Sequence, residues 1–321
     1  EATMTIGQSV YYLIETQNVT GGINPIVTVT PRYEKVEANL DLKISPFVIG
    51  ATVIAFGTSA PELAISLHSA LKGYEGITLG NIVGSNIANV LFALPLAFLI
   101  RIPKSSDLKI VDNIYLLIAT FLYIYITLFL GVFNNISGFL MLFLLLSYIT
   151  FILFQASRGL RKVDTEEIKK NISLKRSVIF SFLGLFGIIL GAQILVKGAV
   201  ITASLLGISQ TIIGLTVVAL GTSIPEVVTS MAAAYRGQIS FVLGAILGSN
   251  LFNLLAITGI ASVITPINTK NILDKIDVYY LIFSTIIFVL ISLFLKYLNR
   301  KLIFGILISY AIYVVFIYLR M

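Results

Sequence analysis

Two glutamates, Glu62 and Glu226, stand in the middle of long apolar runs, each closing the same kind of motif: Gly57-Thr58-Ser59-Ala60-Pro61-Glu62 and Gly221-Thr222-Ser223-Ile224-Pro225-Glu226. An ionisable group in such surroundings is costly unless it meets a cation, water or a partner. Spaced four residues apart, Thr58 and Glu62 share one helix face with Ser59 beside them, and Thr222, Ser223 and Glu226 repeat the pattern. Pro61 and Pro225 cannot donate to the carbonyls of Gly57 and Gly221, which turns backbone oxygens into potential ligands. Close behind follow Gly84-Ser85-Asn86-Ile87-Ala88-Asn89 and Gly248-Ser249-Asn250-Leu251-Phe252-Asn253, where Ser85 with Asn89, and Ser249 with Asn253, can face one cavity. Gly80 with Gly84, and Gly244 with Gly248, predict the close helix packing that brings these groups near the glutamates.

Carboxylates, hydroxyls, amides and carbonyls are hard oxygen ligands, suited to Na⁺ and Ca²⁺. Two glutamates supply a charge of −2, which one Ca²⁺, a set of Na⁺ or two protons can satisfy, and exclusive occupancy of one site is the physical basis of exchange. The chain has no Cys and one His, His68, so no thiolate metal site is available and an imidazole-based metal site or His-relay chemistry is disfavoured. With no nucleophile–base set, the chain is read as a transporter, not an enzyme, with no permanently bound cofactor. It has no nucleotide-binding loop either, so the drive must be an ion gradient.

These motifs need helices that cross a bilayer. The 321 residues are 57% hydrophobic and 12% charged, about half the charge of a soluble domain. Apolar stretches of spanning length predict nine helices: near Pro46–Leu71, Ile77–Ile100, Asn113–Leu130, Ser137–Phe154, Val178–Val200, Thr211–Tyr235, Ile239–Ile264, Val278–Leu295 and Leu302–Leu319. The net charge of +7 reports topology here, not nucleic-acid binding. The polar linker 158–176 carries Arg158, Arg161, Lys162, Lys169, Lys170, Lys175 and Arg176, which places it in the cytoplasm and the C-terminus outside.

Residues from Ile44 onward match residues from Ile208 onward without a gap, and nearly half the positions up to Ala97 are identical, concentrated on Gly, Thr, Ser, Pro, Glu and Asn. The topology runs the two copies in opposite senses across the membrane, the inverted repeat of secondary transporters, whose site lies at the repeat interface near the midplane. The fold class is therefore all-α integral membrane, with 44–157 as the first half, 158–176 as the cytoplasmic linker and 177–321 as the second half.

The duplicated Gly-Thr-Ser-x-Pro-Glu and Gly-Ser-Asn motifs resemble the signature of the cation/Ca²⁺ exchanger superfamily, most closely its microbial Na⁺/Ca²⁺ exchanger branch. The resemblance covers both repeats and the helix plan. It implies an inverted 5+5 arrangement of ten helices. It also implies a cluster of cation subsites lined by Glu62, Glu226, Thr58, Ser59, Thr222, Ser223, Ser85, Ser249, Asn89 and Asn253 with the carbonyls of Ala55 and Ala219. The implied activity is Na⁺-for-Ca²⁺ antiport by alternating access in a cell membrane, with a monomer as the functional unit. A divalent cation/H⁺ antiporter of the same superfamily is the alternative, although proton-coupled relatives carry Gly-Asn-x-x-Glu around their glutamates; a cation channel is a weaker one. Some relatives, including K⁺-dependent ones, carry Asp where this chain has Asn253.

One departure stands out. The helix expected before Ile44, equivalent to Val178–Val200, is not legible. Residues 18–43 carry Gly21-Gly22, Pro25, Pro31 and several charges. Residues 1–43 are read as an atypical segment whose first helix is missing or degenerate, and which is expected to be irregular.

Overall fold

The computed structural model describes residues 10–16, 27–33, 45–103, 105–161 and 207–319, with a scatter of residues between 182 and 205. The chain forms two compact units, Glu1–Lys43 and Ile44–Met321.

In the first unit, β1 (Val10–Thr16) and β2 (Val27–Tyr33) pair antiparallel, with Val10 opposite Tyr33 and Thr16 opposite Val27. The expectation of irregular structure is corrected for these two stretches. Val27-Thr28-Val29-Thr30 is a run of β-branched residues, which favour the extended backbone. Pro31 is tolerated because both members of a two-stranded sheet are edges.

The second unit is helical. Helices α1 (Pro46–Thr58) and α2 (Ala60–Leu71) form a pair bent by 44°. Then come α3 (Glu75–Ile100), α4 (Ile110–Leu130), α5 (Asn135–Ser157), α6 (Gln210–Tyr235), α7 (Ile239–Ile264), α8 (Lys275–Leu293) and α9 (Arg300–Tyr318). Among the described residues, these seven single helices and the one bent pair are long and apolar enough to cross a membrane, which makes the chain a multi-pass membrane protein. The span expected at Val178–Val200 lies largely outside the described residues, although those described there are helical.

Polar residues mark several helix starts. Asn134 Oδ1 accepts from Ser137 N at 3.1 Å while Ser137 Oγ accepts from Asn134 N at 2.8 Å, a reciprocal cap on α5. Asp274 and Asp277 do the same for α8. The short strands β3 (Val132–Phe133) and β4 (Ile267–Asn268) pair antiparallel and join the loop before α5 to the loop before α8.

The core is built by exchange between the two sequence copies. α3 packs on the first half of α6, and α7 packs on α1. Glycine makes this possible: a Cβ on Gly84 would lie 2.6 Å from the Leu215 carbonyl, and one on Gly248 would lie 2.6 Å from the Ala51 carbonyl. A Cβ on Gly244 would strike the Phe47 carbonyl. The expected small-residue packing is thus present and runs between the copies. α7 is the most enclosed span, 94% of its most apolar stretch being buried, whereas α9 at 22% is peripheral.

Candidate cation site

Both glutamates sit just beyond a break in the helix that carries them. Ser59 adopts φ −86°, ψ 6°, and Ser223 adopts φ −81°, ψ 0°, the conformation that separates the segment before each proline from the one after it. One turn upstream, Gly50–Ile54 and Gly214–Val218 are wound as π-helix; Asn89–Ala93 and Phe252–Ile257 are wound likewise just after the Gly-Ser-Asn motifs. Such turns leave backbone groups out of the regular ladder and gather at functional sites. They are invisible in the sequence pattern.

The packing places each copy's serine and threonine against the other copy. Ser59 Oγ donates to Glu226 Oε1 at 3.0 Å, and Ser249 Oγ donates to the same oxygen at 3.3 Å. Thr58 Oγ1 lies 3.5 Å from Ser249 Oγ, and at the equivalent place Thr222 Oγ1 lies 3.3 Å from Ser85 Oγ. Glu62 is 0% exposed and Glu226 is 1% exposed. Glu62 Oε1, Glu62 Oε2, Glu226 Oε2 and Ser223 Oγ have no hydrogen-bond partner. Buried carboxylate oxygens without donors are rare in folded proteins and call for an explanation such as an ion.

The remaining expected ligands divide. The Ala55 carbonyl accepts from Ser59 N at 3.0 Å and keeps a second lone pair, whereas the Ala219 carbonyl accepts from Ser223 N at 3.0 Å and lies 3.2 Å from Thr222 Oγ1, so its second lone pair is open only when Thr222 donates elsewhere. Asn89 Nδ2 donates to Asn250 Oδ1 at 3.0 Å, whereas the amide of Asn253 has no partner. Neither amide hydrogen-bonds to Glu62 or Glu226. His68 lies in the last turn of α2, away from the break. Among the described residues no group of three or more His, Cys, Asp or Glu gathers, so the cage has two carboxylates and otherwise neutral oxygens.

Two side chains escaped the sequence reading. Asn250 holds Asn89, and Asn81 touches four groups around Glu62. A signal for Asn81 was present: it stands one helical turn before Ser85, and the second copy has Ala245 in its place.

A polytopic helical membrane protein that buries two carboxylates among hydroxyls from two sequence copies has the makings of an ion carrier. A family model described as sodium/calcium exchanger protein matches residues 23–156 and 176–320. The chain is 30% identical to the sodium/calcium exchanger MaX1 of Methanosarcina acetivorans, over 79% of this chain and 81% of that one. It is 31% identical to the inner membrane protein YrbG of Escherichia coli, over 77% and 78% respectively. A solved structure of the sodium-calcium exchanger NCX_Mj superposes with a TM-score of 0.63 at 31% identity, covering 84% of this chain and 86% of that one. The chain belongs to the sodium/calcium exchanger family.

Proposed function

We propose that this protein is a secondary active antiporter that exchanges Na⁺ for Ca²⁺ at a single cage formed by Glu62, Glu226 and the surrounding hydroxyls. The observation that carries the reading is the pair of buried glutamates, three of whose four carboxylate oxygens lack any donor. A charge of −2 in that position is matched by one Ca²⁺ or by a set of Na⁺, and both ions take oxygen ligands of these kinds. The names of the relatives MaX1 and NCX_Mj support the choice of ions. Thr58, Ser59, Thr222, Ser223, Ser85 and Ser249 supply hydroxyls, Asn89 and Asn253 supply amides, and Ala55 and Ala219 supply carbonyls.

In this reading the two copies are inverted halves of a 5+5 plan, with 44–157 and 177–321 as the halves. The site lies near the midplane and opens alternately to each side. The linker 158–176 lies in the cytoplasm and the C-terminus lies outside, as the distribution of Lys and Arg favours. A monomer holds the whole site. The segment 1–43 stands outside the halves.

The test is ⁴⁵Ca²⁺ uptake into proteoliposomes under an outward Na⁺ gradient, a pH gradient or no gradient. Uptake driven by Na⁺ alone, and reduced to background by Glu62→Gln or Glu226→Gln, is the expected result. Uptake driven by the pH gradient would replace it with cation/H⁺ antiport, and conductive flux without a gradient would make the protein a channel.

A further inference from the structure

The two halves of the cage are alike in sequence but differ in where their hydroxyl protons go. Ser249 Oγ donates to Glu226 Oε1 at 3.3 Å. Its counterpart Ser85 Oγ donates to Asn81 Oδ1 at 3.4 Å or to the Ala219 carbonyl at 3.5 Å, with Glu62 left without a donor. The source of the difference is Asn81, fully buried on α3, whose equivalent on α7 is Ala245.

The orientation of the Asn81 amide follows from its neighbours. Its nitrogen lies 3.2 Å from the Glu62 backbone carbonyl and 2.8 Å from Ser66 Oγ. A backbone carbonyl can only accept, so the nitrogen must face it and the oxygen must face the other way. That oxygen lies 3.1 Å from Thr222 Oγ1 as well as 3.4 Å from Ser85 Oγ. Thr222 Oγ1 also has the carbonyls of Val218 at 3.0 Å and Ala219 at 3.2 Å, and Ser85 Oγ at 3.3 Å, within reach. A hydroxyl has one proton. Once that proton is drawn to Asn81 or to the helix backbone, the lone pairs of Thr222 and Ser85 remain for a cation, and Glu62 keeps both carboxylate oxygens undonated. The second half shows the converse. With Ala245 in place of an asparagine, Ser230, the counterpart of Ser66, has a buried hydroxyl with no partner, and Glu226 Oε1 is occupied by Ser59 and Ser249.

We propose that Asn81 is a positioning residue for the transported cation: its side-chain oxygen takes the proton of Ser85 and turns it away from Glu62, so that Ca²⁺ meets Glu62 without first displacing that hydroxyl. The proposal rests on the reading of the cage as the Ca²⁺ site. In an Asn81→Ala variant, which copies the second half, Ser85 is released to donate to Glu62 as Ser249 donates to Glu226, and Ca²⁺ must then displace it, while Thr222 stays on the Val218 carbonyl as its counterpart Thr58 stays on the Ile54 carbonyl.

The test uses the purified full chain in proteoliposomes and reads the KM for Ca²⁺ and the maximal rate of Na⁺-driven ⁴⁵Ca²⁺ uptake, with Tm in detergent as a separate measure of folding. Asn81→Ala is expected to raise the KM fivefold or more. Ser66→Ala, which removes one end of the tie from Asn81 to α2 and leaves its oxygen in place, is expected to lower Tm while keeping the KM within twofold of wild type. A merely structural strut would lower Tm in both variants and move the KM in neither. Asn81→Ser, whose oxygen sits one bond nearer the α3 backbone than the Asn81 oxygen, is expected to raise the KM as Asn81→Ala does and carries the test if the alanine variant is not recovered folded. A KM within twofold of wild type in the Asn81 variants, or an equal rise in Ser66→Ala, overturns the proposal. Wild-type protein without saturable Na⁺-driven Ca²⁺ uptake overturns the exchanger reading itself, and this proposal with it.

Discussion

Replacing Arg161 with alanine tests how the helix core is anchored at the edge of the polar linker. Arg161 Nη2 donates to Asp112 Oδ1 at 2.7 Å and Nη1 donates to Asp112 Oδ2 at 2.9 Å, a two-pronged pair with both side chains fully buried. The guanidinium also donates to Gln155 Oε1 at 2.9 Å and lies 4.7 Å from the centre of the Phe47 ring, in the first turn of α1. Removing one partner of a buried pair strands the other and costs about 3–5 kcal/mol. Asp112 would retain the Lys109 backbone N–H at 2.7 Å and the Tyr148 hydroxyl at 3.2 Å, which places the loss at the lower end. A loss of about 3 kcal/mol at roughly 2 °C per kcal/mol lowers Tm by about 6 °C. The chain has no Trp, so the natural assay is thermal unfolding in detergent followed by helical circular dichroism. Asp112→Ala should behave similarly, and the double variant should lose clearly less than the sum of the two, because the second change removes a charge the first has already stranded. An unchanged Tm in Arg161→Ala, or strict additivity in the double variant, would refute this account of the pair.

Gly84→Ala pushes a methyl group into the Leu215 carbonyl and should cost about 1–3 kcal/mol by overpacking. Gly305→Ala, with nothing within 4 Å of the new carbon in α9, should hold or raise Tm through better helix propensity. Asn134→Ala removes the cap of α5 and should cost about 1 kcal/mol, read as a small fall in Tm by the same circular dichroism melt. With Asn253 rather than an acidic residue in the second motif, Na⁺-driven ⁴⁵Ca²⁺ uptake should be the same with K⁺ or choline on the Ca²⁺ side; a requirement for K⁺ would contradict this.

Arg161 shows where sequence reading stops. Its neighbours are cationic and polar, so it reads as one more solvated cation of the linker, yet it is 2% exposed. Nothing near it in the chain announces Asp112, 49 residues away. The N-terminal segment gives the opposite lesson. Its charges and prolines argue correctly against a spanning helix over the described stretches, but attention to helices hid the Val/Thr run that forms β2.

By itself, the sequence determined the membrane class, because runs of apolar residues long enough for a bilayer have no other stable use. It also determined the duplicated motifs and the choice of hard oxygen ligands, because those depend on residue type and on spacing along one helix. Tertiary structure decided which of these side chains meet. Ser59 reaches Glu226 rather than its own neighbour Glu62, and Ser85 meets Thr222, because the glycine faces of α3 and α7 seat each copy on the other. It also decided that two nearly identical halves are unequal. One asparagine without a counterpart meets Ser85 of its own helix and Thr222 of the other copy, and the second of these contacts exists only when residues from both copies share one buried space.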